Sequence, residues 1–487
     1  MMLLKNLIYA VYPDYPHLFD MPDILIRGLE CDSRKVLKDF LFVMIPGEKM
    51  DGRRFAGEAV RRGAAALAGD VQDPILAHVP FVKVPEPRLA LAKFAAVFYG
   101  YPNGKIRSVG ITGTNGKTTS AYLIEHFLSS QNKKTGVMGT VSHRFNGKVI
   151  PALETTPGPL KIQQLLSQMV AAGCQIAVME VSSHALSQSR VSGVDFETAL
   201  FTNLTQDHLD YHKTMEAYFE CKSRLFLGLS ESKTAILNID DAWTAKLLEI
   251  TRAKIKTYGL NLKADFRAEN IECGVDKTHF NLTAKGKTIK IISPLVGLHN
   301  VYNVLGSLAT AESLGLDLKL CADSLTHFTG VPGRLEPVNA GQNFLIFIDY
   351  AHTPDGLENV LKSLLPYKKN KLVTVFGCGG ERDKGKRPKM GRIASFYSDY
   401  VFVTSDNPRS EDPRVIAEEI RAGFPEDFKN FTIVVDRQKA IRQALLSSRA
   451  GDVVLLAGKG HEMTQIIDGQ TLPFNDRQET ERVLSGR

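Results

Sequence analysis

The stretch GITGTNGKTTS, residues 110–120, sits between an apolar run, IRSVGIT, and an amphipathic run, TTSAYLIEHFLSS. Strand, glycine-rich turn and helix in that order constrain the fold more than any other feature of this chain. Gly113 and Gly116 allow a tight turn that aims backbone N–H groups inward. The helix N-terminus adds partial positive charge, Lys117 adds a full one, and the Thr118 hydroxyl can ligate Mg²⁺. Gly113, Thr114, Asn115, Gly116, Lys117, Thr118 and Thr119 therefore form a candidate phosphate cradle. The common phosphate loop has four residues between its two glycines. Here the first of those glycine positions falls on Ile111, so the loop is a variant. A glycine-rich turn with an incidental lysine is the plain alternative. The preceding strand, the following helix and the GKTT tail favour nucleotide binding.

Beyond the loop, apolar runs keep alternating with helical patterns. TGVMGT, IAVMEVSS, TALFTNL and TAILNID follow in a central block; FLIFIDYAH, KLVTVFGCGG, YVFVTSDN, FTIVVD and DVVLLAGKG fill a last one. This alternation predicts an α/β chain with mostly parallel sheets wrapped by helices. The last block reads as a smaller Rossmann-like domain. Each of its five runs ends in polar or glycine-rich residues, where ligands of such sheets sit. Turn-former clusters at 99–107 (YGYPNGKIR) and 328–337 (FTGVPGRLEP) separate the blocks. The expected domains are 1–100, 101–333 and 334–487. In the first, FAGEAVRRGAAALAG is expected to be helical among short strands; GLHNVYNVLGSLATAESLG is expected to be a late helix of the second.

The net charge of +7 is mild for 487 residues, and no Lys/Arg run is interleaved with aromatics. An enzyme handling anionic substrates accounts for the bias without nucleic acid. The six cysteines form no CxxC pair, so neither a zinc module nor a disulfide scaffold is indicated, and a cytoplasmic location is expected. MMLLKNLIYAVYPDYP is too short and interrupted for a signal peptide, and no run approaches membrane-spanning length.

Acidic and histidine side chains gather after two central strands. VMEVSSHALSQSR ends a strand on Glu180, a natural Mg²⁺ ligand near a phosphate loop. TNLTQDHLDYH offers Asp207, His208, Asp210 and His212; zinc is one reading, but with no cysteine nearby Mg²⁺ fits better. In TMEAYFECKSRLFLGL, the residues Met215, Tyr218, Phe219, Leu225 and Phe226 define a buried helical stripe, and Lys222 falls within it. Periodicity alone favours a snorkelling lysine, its amine in water. The other reading is a buried, neutral amine able to take up CO₂ as a carbamate, an anionic Mg²⁺ ligand.

In order along the chain, GTNGKTT, TTP, EVSSHAL, TNLTQDHLDYH, YFECKSRLF, HNVYN, PGRLE, DYAHTPD and GKGHE resemble the Mur ligase family. The N-terminal CDSRKV…LFVMIPGEKMDGRRF looks like its tripeptide-synthetase branch. The resemblance implies three domains: one for UDP, a central P-loop ATPase domain and a Rossmann-like domain for the amino acid. It implies an ATP-dependent amide ligase that acts through an acyl phosphate on UDP-N-acetylmuramoyl-L-alanyl-D-glutamate. On this resemblance Lys117, His208 and a carbamylated Lys222 are catalytic, and Thr118, Glu180, His208 and Lys222 surround Mg²⁺. Asn300, Arg334 and Asp349 belong with ATP. Ser33, Thr155, Thr156, Ser182, Gln188 and Arg190 hold the muramoyl peptide. Glu154 stands where some relatives have Asn, and GEKM at 47–50 replaces GHQA, with a backbone contact to uridine expected there. A monomer is expected.

SDNPRSEDP, 405–413, bears on which amino acid is added. DNPR is the pattern of the meso-diaminopimelate-adding branch, and lysine-adding relatives lack its arginine. A guanidinium can hold diaminopimelate's distal carboxylate bidentately and would repel the ammonium of lysine. Arg409 is the expected selector. The resemblance places Arg382, Asn407, Gly458 and Glu462 around the same substrate, while Asp406 and Pro408 shape the turn. A lysine-adding synthetase, a folylpolyglutamate-synthase-like ligase and a free-standing P-loop ATPase are the competing readings.

Overall fold

The computed structural model describes every residue except His17, Glu48, Lys49, Val275 and Arg487. Glu48 and Lys49 of the GEKM stretch, with its expected uridine contact, therefore lie outside the described residues. By its contacts the chain divides into two compact units, residues 1–110 with 133–199 and residues 111–132 with 200–487.

The first unit opens with a four-stranded parallel sheet ordered Gly28–Glu30, Phe40–Val43, Ala64–Gly69, Phe81–Lys83. The stretch expected to be one helix is a helix only over Ala56–Arg61; AAALAG is a strand. Gly63, at φ +107°, ends the helix, and the alanine-rich run is then buried between two strands. Alanine's helix preference is a few tenths of a kcal/mol per residue, roughly, and sheet burial overrides it. A second sheet in this unit runs Lys148–Pro151, Ser142–Phe145, Thr135–Met138, Ile176–Glu180, with residues 107–110 next. The first two strands form an antiparallel hairpin, while Ile176–Glu180 pairs in parallel with Thr135–Met138. Ile176–Glu180 is buried throughout, which delivers Glu180 at the strand's carboxyl end.

In the second unit the helix Lys117–Ser130 follows the glycine loop as expected. Thr234–Asn238 and Lys254–Gly259 pair in parallel, and Phe266–Cys273, Thr278–Ala284 and Lys287–Ser293 extend the sheet, the last two antiparallel. The helix Leu298–Ser313 carries the HNVYN motif. A further sheet is ordered Glu336–Pro337, Leu345–Asp349, Val453–Ala457, Leu372–Phe376, Tyr400–Val403, Phe431–Ile433, parallel except for the first edge strand. LVTVF and VVLLA are buried at every position, because helices cover both faces. Each such Leu, Val or Phe contributes about 1.5–3 kcal/mol. This packing fixes the carboxyl ends of four strands side by side. Asp349 ends one of them, and the loops that leave the other three carry Arg382, Asp406–Arg409 and Gly458–Glu462. Among the described residues no helix is long and apolar enough to cross a membrane.

Candidate active site

Gly113 (φ +150°) and Gly116 (φ +86°) are needed for a steric reason: a Cβ would collide with Thr202 Oγ1 at the first and with Asn303 Oδ1 at the second. The loop is held from outside. Asn115 N donates to Asn203 Oδ1 at 2.9 Å, Thr202 Oγ1 donates to Asn115 O at 2.6 Å, and Asn115 Nδ2 donates to Asp355 Oδ2 at 2.8 Å. Lys117 curls back so that Nζ donates to the carbonyls of Gly113 and Thr114, each at 2.8 Å. Thr114 Oγ1 donates to Thr205 O at 3.1 Å. Thr118 and Thr119 are buried in the first helical turn, and Thr118 Oγ1 accepts from Arg334 Nη2 at 3.1 Å.

Arg334 lies over the Tyr350 ring, 4.8 Å from its centroid. Asp349, just before it in the chain, accepts from Leu335 N at 2.6 Å and from Ala351 N at 2.7 Å, so one carboxylate fixes the backbone on both sides. Burial pushes the Asp349 carboxyl up; Arg334 and these two N–H groups oppose it. Asn300 Nδ2 donates to Val296 O at 2.9 Å, and its Oδ1 accepts from Asn303 at 2.9 Å. Asn115, Gly116, Thr119, Asn300, Arg334 and Asp349 line one cavity of ≈ 250 Å³. A larger one of ≈ 820 Å³ shares Asn300 and Arg334 but is walled by Phe328, Val331, Leu335, Leu345 and Phe347. Only the smaller has the polar walls and loop N–H groups that a nucleotide phosphate requires.

Lys222 does not snorkel. It is 2% exposed, donates to Gly113 O at 2.8 Å and sits 4.7 Å from the Tyr218 ring centroid. Burial, aided by the charge of Lys117, pushes its amine well below the ordinary lysine range. The snorkelling expectation is thus corrected: the stripe continues into the phosphate loop and leaves the stem no path to water. His208 adopts φ +54°, with Nε2 3.2 Å from Asp207 Oδ2. Burial raises the Asp207 carboxyl, but His208, Lys386 and His352 together hold it well below the usual carboxylate range. Asp210 is exposed and His212 stacks on Tyr218 at 5.0 Å. Among the described residues no three His, Cys, Asp or Glu side chains converge to hold a metal.

In the first unit, Glu180 is buried and accepts from Thr140 N at 2.8 Å and Thr140 Oγ1 at 2.9 Å. Thr140 Oγ1 also lies within hydrogen-bond distance of Thr155 Oγ1, at 3.1 Å. Thr156 Oγ1 donates to Glu180 O at 2.8 Å and accepts from Ser182 N at 2.9 Å. Arg190 donates to Thr156 O at 2.9 Å, to Gln188 Oε1 at 3.0 and 2.8 Å, and pairs with Glu154. Five of the six expected acceptor residues thus share one network. Ser33 lies outside it, donating to Glu58 Oε2 at 2.7 Å. Its neighbours Cys31 and Lys35 line a cavity of ≈ 670 Å³ together with Glu154, Pro157 and Lys161.

At the carboxyl edge of the last sheet, Arg409 has φ +56°. Its N–H donates to Ile466 O at 3.0 Å and its carbonyl accepts from Asp468 N at 2.7 Å, so the Thr464–Ile467/Gln470–Pro473 hairpin clamps it. Its Nη1 donates to Gly380 O at 2.6 Å. Burial and the adjacent Arg382 push the Arg409 guanidinium down from its ordinary value. Asp406, Glu381 and Glu462 oppose that shift. Asn407 Nδ2 donates to Glu462 Oε2 at 2.9 Å. Gly458, at φ +108°, lets the backbone pass close to Asp406 Oδ2, and Asp406 O accepts from Gln465 Nε2 at 2.6 Å.

Three domain profiles match the chain: "Mur ligase family, catalytic domain" over 25–99, "Mur ligase middle domain" over 111–311 and "Mur ligase, glutamate ligase domain" over 333–460. The chain belongs to the Mur ligase family.

This Mur ligase is 44% identical over 482 residues to the UDP-N-acetylmuramoyl-L-alanyl-D-glutamate--2,6-diaminopimelate ligase of Geobacillus thermodenitrificans, covering 98% of each chain. It is 42% identical over 464 residues to the protein of that name from Caldanaerobacter subterraneus subsp. tengcongensis, covering 95% of this chain and 96% of the relative. A solved structure of a ligase of that name superposes with a TM-score of 0.70 at 34% identity, covering 100% of this chain and 99% of the other.

Several residues of this Mur ligase escaped the motif reading. Asp355 anchors Asn115, and its signal was the Thr-Pro-Asp helix start in DYAHTPD: Thr353 Oγ1 accepts from Gly356 N at 3.0 Å. Tyr350 supports Arg334 from within the same motif. The ion pair of Arg437 with Asp476 is fully buried and joins residues 39 positions apart, with no local signal.

Proposed function

We propose that this Mur ligase joins meso-2,6-diaminopimelate to UDP-N-acetylmuramoyl-L-alanyl-D-glutamate, with ATP as the phosphoryl donor, in building peptidoglycan precursor. The observation that carries the choice of amino acid is the Arg409–Arg382 pair, with Glu462 on the same edge: an anion site and a carboxylate, matching the carboxylate and ammonium at the far end of diaminopimelate. Relatives of that name, identical at more than two residues in five over nearly the whole chain, support the same reading. The working division is 1–100 for UDP, 101–333 for ATP and 334–487 for the amino acid, in a monomeric cytoplasmic enzyme.

The peptide's free carboxylate attacks the γ-phosphorus and ADP leaves. The incoming amine then attacks the acyl phosphate carbonyl, the C–O bond to phosphate breaks, and the amine gives up its proton. In the first step two anions must meet. Lys117 and the loop N–H groups offset their repulsion and stabilise the transferring phosphoryl group. Arg334 orients Thr118, and Asp349 orients Arg334's loop. Thr155, Thr156, Ser182, Gln188 and Arg190 form a preassembled polar surface for the peptide, with Ser33 on the uracil side.

In the second unit Thr118, His208 and a carbamate on Lys222 are the residues that would hold Mg²⁺, and Glu180 is the candidate ligand of the first. The donors fit: a hydroxyl, a buried carboxylate and a second carboxylate-like group are hard oxygen ligands, and a neutral buried amine is the form that takes up CO₂. Bound Mg²⁺ would neutralise charge on the phosphate oxygens.

An amino-acid panel with the UDP-dipeptide tests the reading: phosphate release should require both the nucleotide-peptide and meso-diaminopimelate, with L-lysine and L-ornithine inactive. Arg409→Ala and Arg409→Lys should each raise KM for diaminopimelate by at least about tenfold. Unchanged diaminopimelate kinetics in both variants would sink the assignment of Arg409, and phosphate release with ATP alone would sink the ligase reading.

A further inference from the structure

Lys459, in the GKGHE turn, is fully buried at 0% exposure. Its ammonium donates to Asn407 Oδ1 at 3.1 Å and to Glu462 Oε2 at 2.6 Å. The backbone N–H of Ile466 donates to the same Asn407 oxygen at 3.0 Å. Two donors on Oδ1 settle the orientation of the amide, so Asn407 Nδ2 must face Glu462, where it donates to Oε2 at 2.9 Å. Glu462 Oε2 therefore accepts from both Lys459 and Asn407. Glu462 Oε1 has no hydrogen-bond partner among the described residues.

We propose that Lys459 is a positioning and specificity-determining residue, which locks Glu462 and Asn407 in one arrangement and leaves Glu462 Oε1 for the ammonium at the far end of the amino-acid substrate. The inference rests on the diaminopimelate reading given above. Its physical basis is the cost of keeping a carboxylate ionised at the bottom of a half-buried site. Burial and Asp406 raise the Glu462 carboxyl, while Lys459 and Asn407 oppose them; Arg409, Arg437 and Tyr350 also face its charge. Lys459 is the only one of these groups to place a cation in direct contact with Glu462 among the described residues. A carboxylate that turned away or took up a proton could not pair with a substrate ammonium. The anion site formed by Arg409 and Arg382 would remain, so Lys459 acts on one half of the substrate's far end and the arginines on the other.

The experiment compares meso-diaminopimelate with 2-aminopimelate, which keeps the far carboxylate and lacks the far ammonium. Lys459→Met should raise KM for diaminopimelate by about tenfold or more and leave KM for 2-aminopimelate within about twofold. Combined with Glu462→Gln, it should raise KM no further, because both changes remove the same contact. The diaminopimelate KM of Lys459→Met should also rise more steeply than that of wild type as pH falls, because Glu462 without its compensating cation protonates more readily. If Lys459→Met does not fold, Lys459→Gln keeps a donor and removes the charge, and the same comparison applies. A diaminopimelate KM within about twofold of wild type, or equal increases for both substrates that add to those of Glu462→Gln, would overturn the proposal. A wild-type enzyme that never incorporates diaminopimelate would instead overturn the reading beneath it, before any variant is made.

Discussion

The buried amine of Lys222 donates to the carbonyl of Gly113 across 2.8 Å, and the amine of Lys117 takes the same carbonyl at the same distance. Two lysines thus converge on one oxygen of the phosphate loop. Burial, added to by the charge of Lys117, pushes the more enclosed Lys222 amine well below the ordinary lysine range. Gly113 makes this possible, because a side chain there would strike Thr202 and push the loop away from both.

Lys222→Ala should lose at least about 100-fold in kcat, as when a single preorganised electrostatic group is removed. Bicarbonate at high concentration, or a short carboxylate, should restore part of the loss in the alanine variant by filling the space with an anion. Lys222→Met, of nearly native volume, should be as inactive and should not be rescued. Labelled-bicarbonate NMR on the wild type checks the carbamate directly: a bare amine in fully active enzyme counts against it.

The strand, glycine turn and helix around residues 113–119 were legible because everything they need is local: glycines, lysine, threonine, a strand before and a helix after. The DNPR turn was legible for the same reason. Lys222 was not, since a lysine in an apolar stripe usually reaches water, and only the distant Gly113 carbonyl shows that it does not. AAALAG misled because alanine says helix, while its place in the sheet is set by Phe40–Val43 and Phe81–Lys83. The strand Thr278–Ala284 buries alternate residues, a period-two signal present in its sequence. The contact of Asn115 with Asp355 spans 240 positions and has no local trace.

The left-handed backbone of Arg409 predicts a split between stability and function. In that region an L side chain costs roughly 1–2 kcal/mol that glycine does not. Arg409→Gly should therefore melt within a few degrees of wild type, the relieved strain offsetting the lost bond to Gly380. Arg409→Val, β-branched in the same conformation, should melt clearly lower. Both should bind diaminopimelate poorly. Thermal melts beside KM measurements separate the two effects, and equal melting of the glycine and valine variants would contradict the strain argument.

His299, at the start of the HNVYN helix, gives a stability signature in pH. Burial lowers it from the ordinary value near 6.5 to about 4. A histidine kept neutral on folding binds fewer protons folded than unfolded between those values, so stability rises with pH across that window. The contribution is whole above about pH 6.5 and is lost as pH falls toward about 4. Wild type should lose more melting temperature than His299→Gln between about pH 7 and about pH 4.5. His143 and His352 are shifted the same way but are present in both proteins, so they cancel in the comparison. Parallel pH profiles would show that His299 is as easily protonated folded as unfolded.

Arg437 and Asp476 are both 0% exposed and joined by two hydrogen bonds of 2.8 and 2.7 Å. The same guanidinium donates to Ala457 O at 3.0 Å and Ser405 O at 3.4 Å, the residues just before Gly458 and Asp406. One buried cation therefore ties together the strand ends that carry both halves of the proposed amino-acid site. Asp476→Asn should cost about 3–5 kcal/mol, because it strands the arginine's charge in the core. The paired replacement Arg437→Met with Asp476→Leu removes both charges at similar volume and should recover most of that loss in urea unfolding. It should not recover KM for diaminopimelate, since nothing then holds the two carbonyls in register. If the paired variant regained both stability and KM, the ion pair would be a matter of packing alone, and the alignment of the two substrate loops would have to come from the sheet itself.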